Sequence, residues 1–270
     1  MFSGGFMFKV TIVQVGRVPG RDVSGMFELA RKLVSEGPVG DLVVFPENWV
    51  SAKPLGVGEF ESIVGGLYEV FESNVVGGLQ YVVDFDGRVR SVGLAFIEGS
   101  PVRVCEKIYP SKAVGERGRV EPGRIQGAFK VKGWTLGCVA CVDIFYPEVS
   151  RVLAALGASV IYNPSSTPDN RLGLWRSALR VRASENVVYT VGVNAVGNRY
   201  PDGRVAGGSS VVFSPLGRVL ASLGPNIGVS TVTLDSGRLE EALERWAFRE
   251  DFERDYATLY KDYASKRWNI

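Results

Sequence analysis

The chain has 270 residues, of which 46% are hydrophobic and 22% are charged, as in globular proteins large enough for one α/β domain with a buried core. The formal net charge is +2 and the basic residues form no dense run, which disfavours a nucleic-acid partner. The chain has no histidine, which excludes Ser-His-Asp triads, Cys-His dyads and histidine-bearing zinc sites, so any proton transfer must use Glu, Asp, Lys, Tyr or Cys.

Further features of the composition bear on localisation and source. Three cysteines are too few for a disulfide scaffold and favour a reducing cytoplasm. No apolar run has transmembrane length and the N-terminus lacks a signal-peptide pattern, so no membrane association is expected. Met7 is an alternative start to Met1, because the first predicted strand opens at Phe8. Arg outnumbers Lys and Val is abundant, which indicates a heat-adapted source.

Short β-branched runs predict the strands of the fold. In chain order these runs cover residues 8–16, 41–47, 81–87, 91–99, 102–107, 134–143, 158–166, 187–197, 209–217 and 229–235. The sequences DFDG and SPLG predict tight turns, so some strand pairs are antiparallel hairpins. Many of the strands are apolar on both faces, which predicts sheets covered on both sides and therefore a mixed sandwich with helices outside.

Helical patterns lie between several of the strands. The predicted helices cover 24–37, with Ser24 as N-cap and Gly37 as C-cap, 146–157, with Pro147 near its start and Gly157 at its end, and 172–186. No linker, low-complexity tract or repeat divides the chain, so one domain is expected over residues 7–235, followed by a helical arm over residues 236–270.

The arm carries an aromatic stripe. Phe252, Tyr256, Tyr260 and Tyr263 are spaced by four, four and three residues, which places them on one face of a helix. Two interpretations stay open at this point: the helix packs on its own domain, or it packs on another subunit.

Four polar or reactive residues follow predicted strands, where α/β folds place their chemistry. Glu47 comes directly after Pro46, which ends its strand because proline has no N–H for the sheet. Lys107 lies at the end of the strand that precedes Pro110, and Glu116 follows nine residues later in a glycine-bounded loop. Cys141 lies where a strand turns into a helix, the arrangement that exposes a nucleophile and aims the next backbone N–H groups at an oxyanion.

Cys138 and Cys141 form a C-x-x-C spacing, which allows two other interpretations. A redox pair requires the first cysteine at a helix N-terminus, whereas Cys138 lies inside a strand. A structural zinc site requires two more ligands, and one distant cysteine without histidine does not supply them. The spacing therefore favours a structural Cys138 beside a reactive Cys141.

Together these segments resemble the nitrilase, or carbon–nitrogen hydrolase, superfamily. The fragments that carry the resemblance are FPE with Glu47, EKIYP with Lys107 and CVDIFYPE with Cys141, in the family's chain order of Glu, Lys and Cys. Downstream, VIYNPSS, RVRASENVVYTVGVNAVG and GGSSVVFSPLGRVLA are similar to further family segments, so that the resemblance covers about residues 8–235. It implies a single-domain, four-layer α-β-β-α sandwich.

The resemblance also implies roles for individual residues. It makes Cys141 the nucleophile, Glu47 the general base and Lys107 the group that stabilises the tetrahedral intermediate, aided by the Val142 N–H. Glu116 resembles a second glutamate of the amidase-like branches, with Glu121 as its competitor. The reaction it implies is hydrolysis of a non-peptide C–N bond through a thioester, without metal or organic cofactor.

Substrate and assembly are less constrained by the resemblance. Trp49, Tyr109, Asn163 and Ser165 are possible pocket residues, although Trp49 also fits a core role and the two NPSS residues a turn role. The sequence KIYP and the segment after FPE depart from the common family pattern, which leaves amide, nitrile and carbamoyl substrates open, with an amide favoured. Because members of the family tend to dimerise or assemble further, the resemblance predicts a homodimer or a higher homo-oligomer. An inactive binding protein of the same fold and a Cys138–Cys141 redox protein are the alternatives.

Overall fold

The computed structural model describes residues 6–17, 22–35, 37–124 and 127–268, with the side chains of nine residues between 248 and 268 left out. Its strands are β1 (Met7–Gln14), β2 (Leu42–Val44), β3 (Leu55–Gly56), β4 (Asn74–Val83), β5 (Val89–Ile97), β6 (Ser100–Glu106), β7 (Ala128–Val131), β8 (Trp134–Cys138), β9 (Val160–Ser165), β10 (Tyr189–Asn194), β11 (Val196–Arg199), β12 (Val205–Gly207), β13 (Val211–Phe213), β14 (Val219–Ser222) and β15 (Gly228–Asp235). Its α-helices are α1 (Val23–Ser35), α2 (Val57–Phe71), α3 (Pro147–Ala155), α4 (Leu172–Asn186), α5 (Ser236–Arg245) and α6 (Phe248–Trp268).

Two mixed sheets form the middle of the molecule. The first has the order β15-β1-β2-β4-β5-β6, with β3 paired to β4, and the second has the order β14-β13-β10-β9-β8-β7. β1 runs parallel to β2 and antiparallel to β15, while β9 runs parallel to both β8 and β10. Parallel neighbours of this kind need crossover connections, which the helices supply.

Three apolar clusters define four layers. One cluster lies between the sheets and includes Ile12, Leu136 and Val191. A second buries the face of the first sheet beneath α1 and α2, and a third buries the face of the second sheet beneath α3 and α4. Each sheet is therefore apolar on both faces, which explains the near-continuous hydrophobic strands. The predicted single-domain α-β-β-α sandwich is confirmed.

Two helices differ from expectation for local reasons. α1 is capped by Asp22, whose Oδ1 accepts the Gly25 N–H at 3.1 Å, so that Ser24 lies inside the helix and is not its N-cap. α2 is absent from the predicted elements because its sequence contains the Gly65–Gly66 pair, which weakens a helical pattern. In the fold those glycines leave room for aromatic rings of a neighbouring strand and helix.

Both predicted hairpins form. The Asp84 N–H donates to Arg88 O at 2.9 Å between β4 and β5, and the Ser214 N–H donates to Arg218 O at 2.8 Å between β13 and β14. β4 begins at Asn74, seven residues earlier than the predicted start at 81. It continues through a glycine-containing irregularity between Val76 and Leu79, where its register with β5 shifts.

The C-terminal arm consists of α5 and α6. Asp235 caps α5 by accepting the Gly237 N–H at 2.9 Å. The Phe252 ring of α6 lies 4.4 Å from the Tyr256 ring, and the Arg151 guanidinium of α3 lies 5.3 Å from the Phe252 ring centre. The arm thus contacts its own domain, whereas the Tyr260 and Tyr263 side chains lie outside the described part. Assembly into a homo-oligomer stays a prediction, as does the domain boundary at 235.

A search of the described residues finds no helix that is both long and apolar enough to cross a bilayer.

Candidate active site

Glu47 is held at the edge of the first sheet by backbone contacts on two sides. Its N–H donates to Ser165 O of the second sheet at 3.2 Å, and it forms an isolated bridge with Leu79. This approach requires Gly78, which has φ +81° and whose missing Cβ would overlap the Pro46 carbonyl oxygen. Only glycine adopts such a conformation without strain. The side chain of Glu47 is 4% exposed, so that its carboxylate lies in the interior.

Lys107 follows β6 directly and points into the same space. Its N–H donates to Ser91 O at 2.9 Å, and its ammonium donates to Glu47 Oε1 and to Glu116 Oε1, both at 2.7 Å. The side chain is 2% exposed. Burial alone would lower the pKa of Lys107, but the surrounding acidic groups, Glu47 foremost, raise it well above its ordinary value. Lys107 therefore remains a cation inside the protein.

Glu116 occupies the far side of the Lys107 ammonium. Its Oε1 also accepts the Tyr81 hydroxyl at 2.6 Å, and its Oε2 accepts the Ser111 N–H at 2.5 Å. Burial acts to raise the pKa of Glu116, but Lys107 and these donors outweigh it and lower that pKa. Glu121 instead lies on the surface, 3.6 Å from Arg88. Of the two competing glutamates, the structure thus brings only Glu116 to Lys107.

Cys141 lies on a strained turn between β8 and α3. It opens a 3₁₀-helix, Cys141–Phe145, with φ +40°, a left-handed conformation that non-glycine residues adopt at functional turns. Its side chain lines the same cavity as Glu47 and Ser166. Burial, followed by the negative charge of Glu47, raises the pKa of Cys141 well above its ordinary value. The resting thiol is therefore protonated and shares its cavity with a carboxylate that can take its proton.

These side chains line one cavity of about 120 Å³. The cavity holds Glu47, Lys107, Glu116 and Cys141 together with Val142. Val142 lies in the first turn of the 3₁₀-helix, where backbone N–H groups have no partner within the helix. That N–H and the Lys107 ammonium are thus two donors beside the sulfur, the arrangement that an oxyanion requires.

Residues behind the cavity fix the segments that carry Lys107 and Cys141 relative to each other. Asp143 accepts the Ile108 N–H at 2.7 Å and the Tyr109 N–H at 3.0 Å, which ties the turn after Cys141 to the segment after Lys107. Burial raises the pKa of Asp143 to about 6, against the opposing effect of these bonds. Arg182 of α4 donates to Ile144 O at 3.0 Å and pairs with Glu185 at 2.7 Å, which ties α4 to the same turn.

The four possible pocket residues do not line the cavity. Trp49 is 1% exposed in the outer core, where its Nε1 donates to Gly77 O at 2.8 Å. Tyr109 stacks on Tyr146, outside the cavity, with ring centres 3.9 Å apart. Asn163 donates to Val139 O at 2.6 Å and to Cys141 O at 3.1 Å, and its Oδ1 accepts the Ser165 hydroxyl at 2.7 Å. These two residues therefore support the nucleophile turn from behind.

The residues that do complete the cavity were not singled out in the sequence. They are Asn48, Tyr81, Ser111, Ala113, Val114, Phe145, Ser166, Thr167, Pro168, Arg171, Tyr200 and Arg204. Tyr81 stands out in retrospect as a hydroxyl-bearing residue inside an apolar strand. Tyr200 donates to Ser166 O and thereby fixes another residue of the cavity wall. No local signal marks Arg171, because only the fold brings it to the cavity.

Cys138 and Cys141 have different partners. The Cys138 sulfur lies against that of Cys105 in the core between the sheets, at 2.6 Å, whereas Cys141 lines the cavity that also contains Glu47. The C-x-x-C spacing therefore does not form a redox pair in the fold, as the geometry of the strand indicated.

Comparison with known proteins supports the resemblance. The family model described as "Carbon-nitrogen hydrolase" matches residues 9–243. An (R)-stereoselective amidase of Pseudomonas sp is 30% identical over 259 residues, which cover 90% of each chain. The 2-oxoglutaramate amidase of Bacillus subtilis (strain 168) is 28% identical over 211 residues, which cover 77% of this chain and 74% of that one.

Solved structures agree with the fold. A carbon-nitrogen hydrolase from Helicobacter pylori G27 superposes with a TM-score of 0.82 at 23% identity, over 93% of this chain and 98% of that chain. An amidase from Nesterenkonia sp superposes with a TM-score of 0.71 at 20% identity, over 86% of this chain and 92% of that chain. The prediction of an enzyme that acts on non-peptide carbon–nitrogen bonds is thus confirmed, and the chain belongs to the carbon–nitrogen hydrolase family.

Proposed function

We propose that this protein is an amidase that hydrolyses a small amide through a thioester on Cys141. The observation that carries the proposal is the meeting of three groups in one cavity. Cys141, Glu47 and Lys107 line the same cavity, and the Lys107 ammonium donates to the Glu47 carboxylate at 2.7 Å. A nucleophile, a base and a cation in this relation are the parts that acyl transfer needs.

The first half-reaction begins with proton transfer to Glu47. Because the pKa of the Cys141 thiol is raised, the sulfur attacks the amide carbon as Glu47 takes its proton, and no free thiolate accumulates beforehand. The carbonyl oxygen gains a negative charge that the Lys107 ammonium and the Val142 N–H stabilise. Collapse of the intermediate breaks the C–N bond, and Glu47 returns the proton to the departing ammonia or amine.

The second half-reaction uses the same groups in reverse. Water attacks the thioester carbon and gives its proton to Glu47, after which the C–S bond breaks and the Cys141 thiol is restored as the acid product forms. Glu116 does not exchange protons in this scheme. Its lowered pKa keeps it a carboxylate. That carboxylate is held by the Tyr81 hydroxyl and in turn orients the Lys107 ammonium.

The cavity also supports a substrate class, a short amide with an anionic group. About 120 Å³ accommodates a small acyl chain. Two guanidinium groups border it: Arg204 is paired with Asp202 at 2.6 Å, whereas Arg171 has no ion-pair partner within the described ranges. A cation without a partner at a cavity wall favours a carboxylate ligand. The substrate of the Bacillus relative, 2-oxoglutaramate, is an amide with a carboxylate.

An ammonia-release screen tests both parts of this proposal. Matched pairs of short amides, with and without a distal carboxylate, are compared with nitriles and N-carbamoyl compounds, and Cys141→Ala serves as the blank. We expect turnover of amides only, abolished in Cys141→Ala while its thermal unfolding is retained. Full turnover in that variant contradicts the thioester mechanism and favours another site.

The anionic preference has its own control. Arg171→Gln is expected to raise KM for the carboxylate-bearing amides about tenfold or more and to leave the neutral amides unchanged, since one charge-assisted contact is lost. Equal effects on both members of each pair contradict the assignment. If no compound is turned over and no electrophilic amide labels Cys141, the protein is an inactive binding member of the family.

A further inference from the structure

Two cysteines outside the catalytic cavity face each other across the core. Cys105 lies one residue before the end of β6 in the first sheet, and Cys138 is the last residue of β8 in the second. They are 3% and 5% exposed, and both belong to the apolar cluster between the sheets. Both are free thiols in this structure, and their sulfur atoms lie 2.6 Å apart, closer than the roughly 3.5–4.0 Å at which non-bonded heavy atoms usually touch and about half an ångström longer than a disulfide bond.

The surroundings hold the two sulfurs in this position. Gly93 of β5 pairs with Cys105, and a Cβ on Gly93 would lie 2.6 Å from the Cys105 sulfur. The Cys105 side chain therefore occupies the space that the glycine leaves and is directed at the second sheet. The cavity beside the pair is only about 10 Å³, which leaves no room for a ligand between the sulfurs.

Other uses of a cysteine pair fit this place poorly. A metal site requires at least a third ligand, and the described residues contain no group of three or more histidine, cysteine, aspartate or glutamate side chains that could hold an ion. A reactive thiol requires access and an activating cation. Cys138 has neither, because it is buried among apolar side chains and burial raises its pKa well above the ordinary value.

We propose that Cys105 and Cys138 form a disulfide that joins the two sheets. Cys105 precedes Lys107 by two residues and Cys138 precedes Cys141 by three, so the bond links the strand that carries the cation to the strand that carries the nucleophile. It closes a loop between positions 33 residues apart, a length at which cross-links stabilise strongly. This proposal differs from the expectation, drawn from the composition, that the cysteines stay reduced.

The bond forms by thiol–disulfide exchange with a small-molecule disulfide of the glutathione type. One cysteine thiolate attacks that disulfide and releases the first small thiol, and the second cysteine thiolate then displaces the other. The two electrons and two protons of the protein thiols end on the two small thiols. Because both cysteines are buried in the finished fold, exchange takes place while the sheets assemble.

Mass spectrometry tests the linkage directly. The reduced, unfolded full chain is refolded in a buffer of reduced and oxidised glutathione, quenched with iodoacetamide in denaturant and digested without reductant. We expect alkylation at Cys141 alone, together with a joined pair of peptides containing Cys105 and Cys138. Alkylation at all three cysteines, or a bond between Cys138 and Cys141, overturns the proposal.

A stability measurement distinguishes a cross-link from mere proximity. When the Cys141→Ala protein, which has only the two core cysteines, is refolded and kept in reductant, its Tm is expected to lie about 10 °C below that of the same protein refolded in the glutathione buffer. In the matched double variant Cys138→Ala/Cys141→Ala, the reductant is expected to have no effect. A Tm of the Cys141→Ala protein that does not respond to reductant overturns the proposal, and this readout is independent of hydrolytic activity.

Discussion

Two clusters of ion pairs on the first sheet have the same bond lengths but different surroundings. The site cluster consists of Glu47, Lys107 and Glu116, with ion-pair distances of 2.7 Å. The rim cluster consists of Asp84, Asp86, Arg90, Arg103 and Glu106, with distances of 2.7–3.0 Å. Side-chain exposure is 1–4% in the site cluster and 10–46% in the rim cluster. Distance alone therefore does not distinguish a catalytic group from a surface network.

The difference lies in what compensates the charge. In the rim cluster, water shares the solvation of every group, so that each pair contributes little to stability. In the site cluster, two buried carboxylates surround one ammonium, and the Glu116 carboxylate also accepts the Tyr81 hydroxyl and the Ser111 N–H. Burying three charges is expensive even when they are paired. The site cluster therefore fits the charge-stabilising role proposed for Lys107.

Removal of the central cation is the strongest test of this contrast. Lys107→Met leaves two buried carboxylates side by side, so we expect kcat to fall at least about a thousandfold and the free energy of unfolding to fall by about 3–5 kcal/mol. The matched variant at the rim, Arg90→Met, should keep full kcat and lose at most about 1 kcal/mol. Steady-state kinetics and urea unfolding measure both. Equal losses in the two variants would show that burial does not separate the clusters.

A backbone change displaces the base without altering any charge. Gly78→Ala places a Cβ against the Pro46 carbonyl at a positive φ, so we expect a loss of about 2–4 kcal/mol and a drop in kcat of about tenfold or more as Glu47 moves from Lys107. Gly87→Ala is the control, because Gly87 has φ +77° with open space around it. It should lose only about 1 kcal/mol and no kcat. An unchanged kcat in Gly78→Ala argues against this support of Glu47.

The last prediction concerns how stability changes with pH. It compares two buried carboxylates, Glu116, which is paired with the Lys107 cation, and Asp143, which is bonded to backbone N–H groups. The folded pKa of Asp143 is about 6, above its ordinary 3.8, so its contribution to stability is full below pH 4 and is lost, by about 3 kcal/mol, as pH rises through 6. The stability of wild type relative to Asp143→Asn should therefore decline between pH 4 and 7.

The contribution of Glu116 to stability should change with pH in the opposite direction. Its folded pKa is lowered, so its contribution is full above its ordinary pKa of 4.5 and is lost as pH falls below that value. Relative to Glu116→Gln, wild type should gain stability as pH rises toward 4.5 and stay level above it. Urea unfolding across pH measures both differences, and slopes of the same sign contradict the assigned environments.

Much of the fold could be predicted, and the candidate residues Glu47, Lys107 and Cys141 could be picked out, because each rests on a local signal. Strand ends are marked by Pro46 and Pro110, and the turn at Cys141 by the change from an extended to a helical pattern. Since strand ends meet at sheet edges, the residues that follow them could be grouped without coordinates. The apolar character of both strand faces likewise required two covered sheets.

The rest depends on contacts between distant segments. Glu116 and Glu121 lie in the same loop, and only the path of that loop decides which one meets Lys107. Arg171 has nothing in its neighbouring sequence that marks it, and Tyr81 is marked only by its hydroxyl in an apolar strand, because both reach the cavity through closeness in space. Trp49, which looked like a pocket residue beside Glu47, turns to the outer core because a left-handed residue, Asn48 with φ 52°, intervenes.

The origin of the catalytic groups in two different sheets has a further consequence. Glu47 and Lys107 follow strands of one sheet, and Cys141 follows a strand of the other, so that the space between them is the gap between the layers. Any slight parting of the layers would separate sulfur from carboxylate before a single strand unpairs. The rate of turnover should therefore depend on how closely the two sheets pack. On heating, activity should be lost at a lower temperature than the secondary structure.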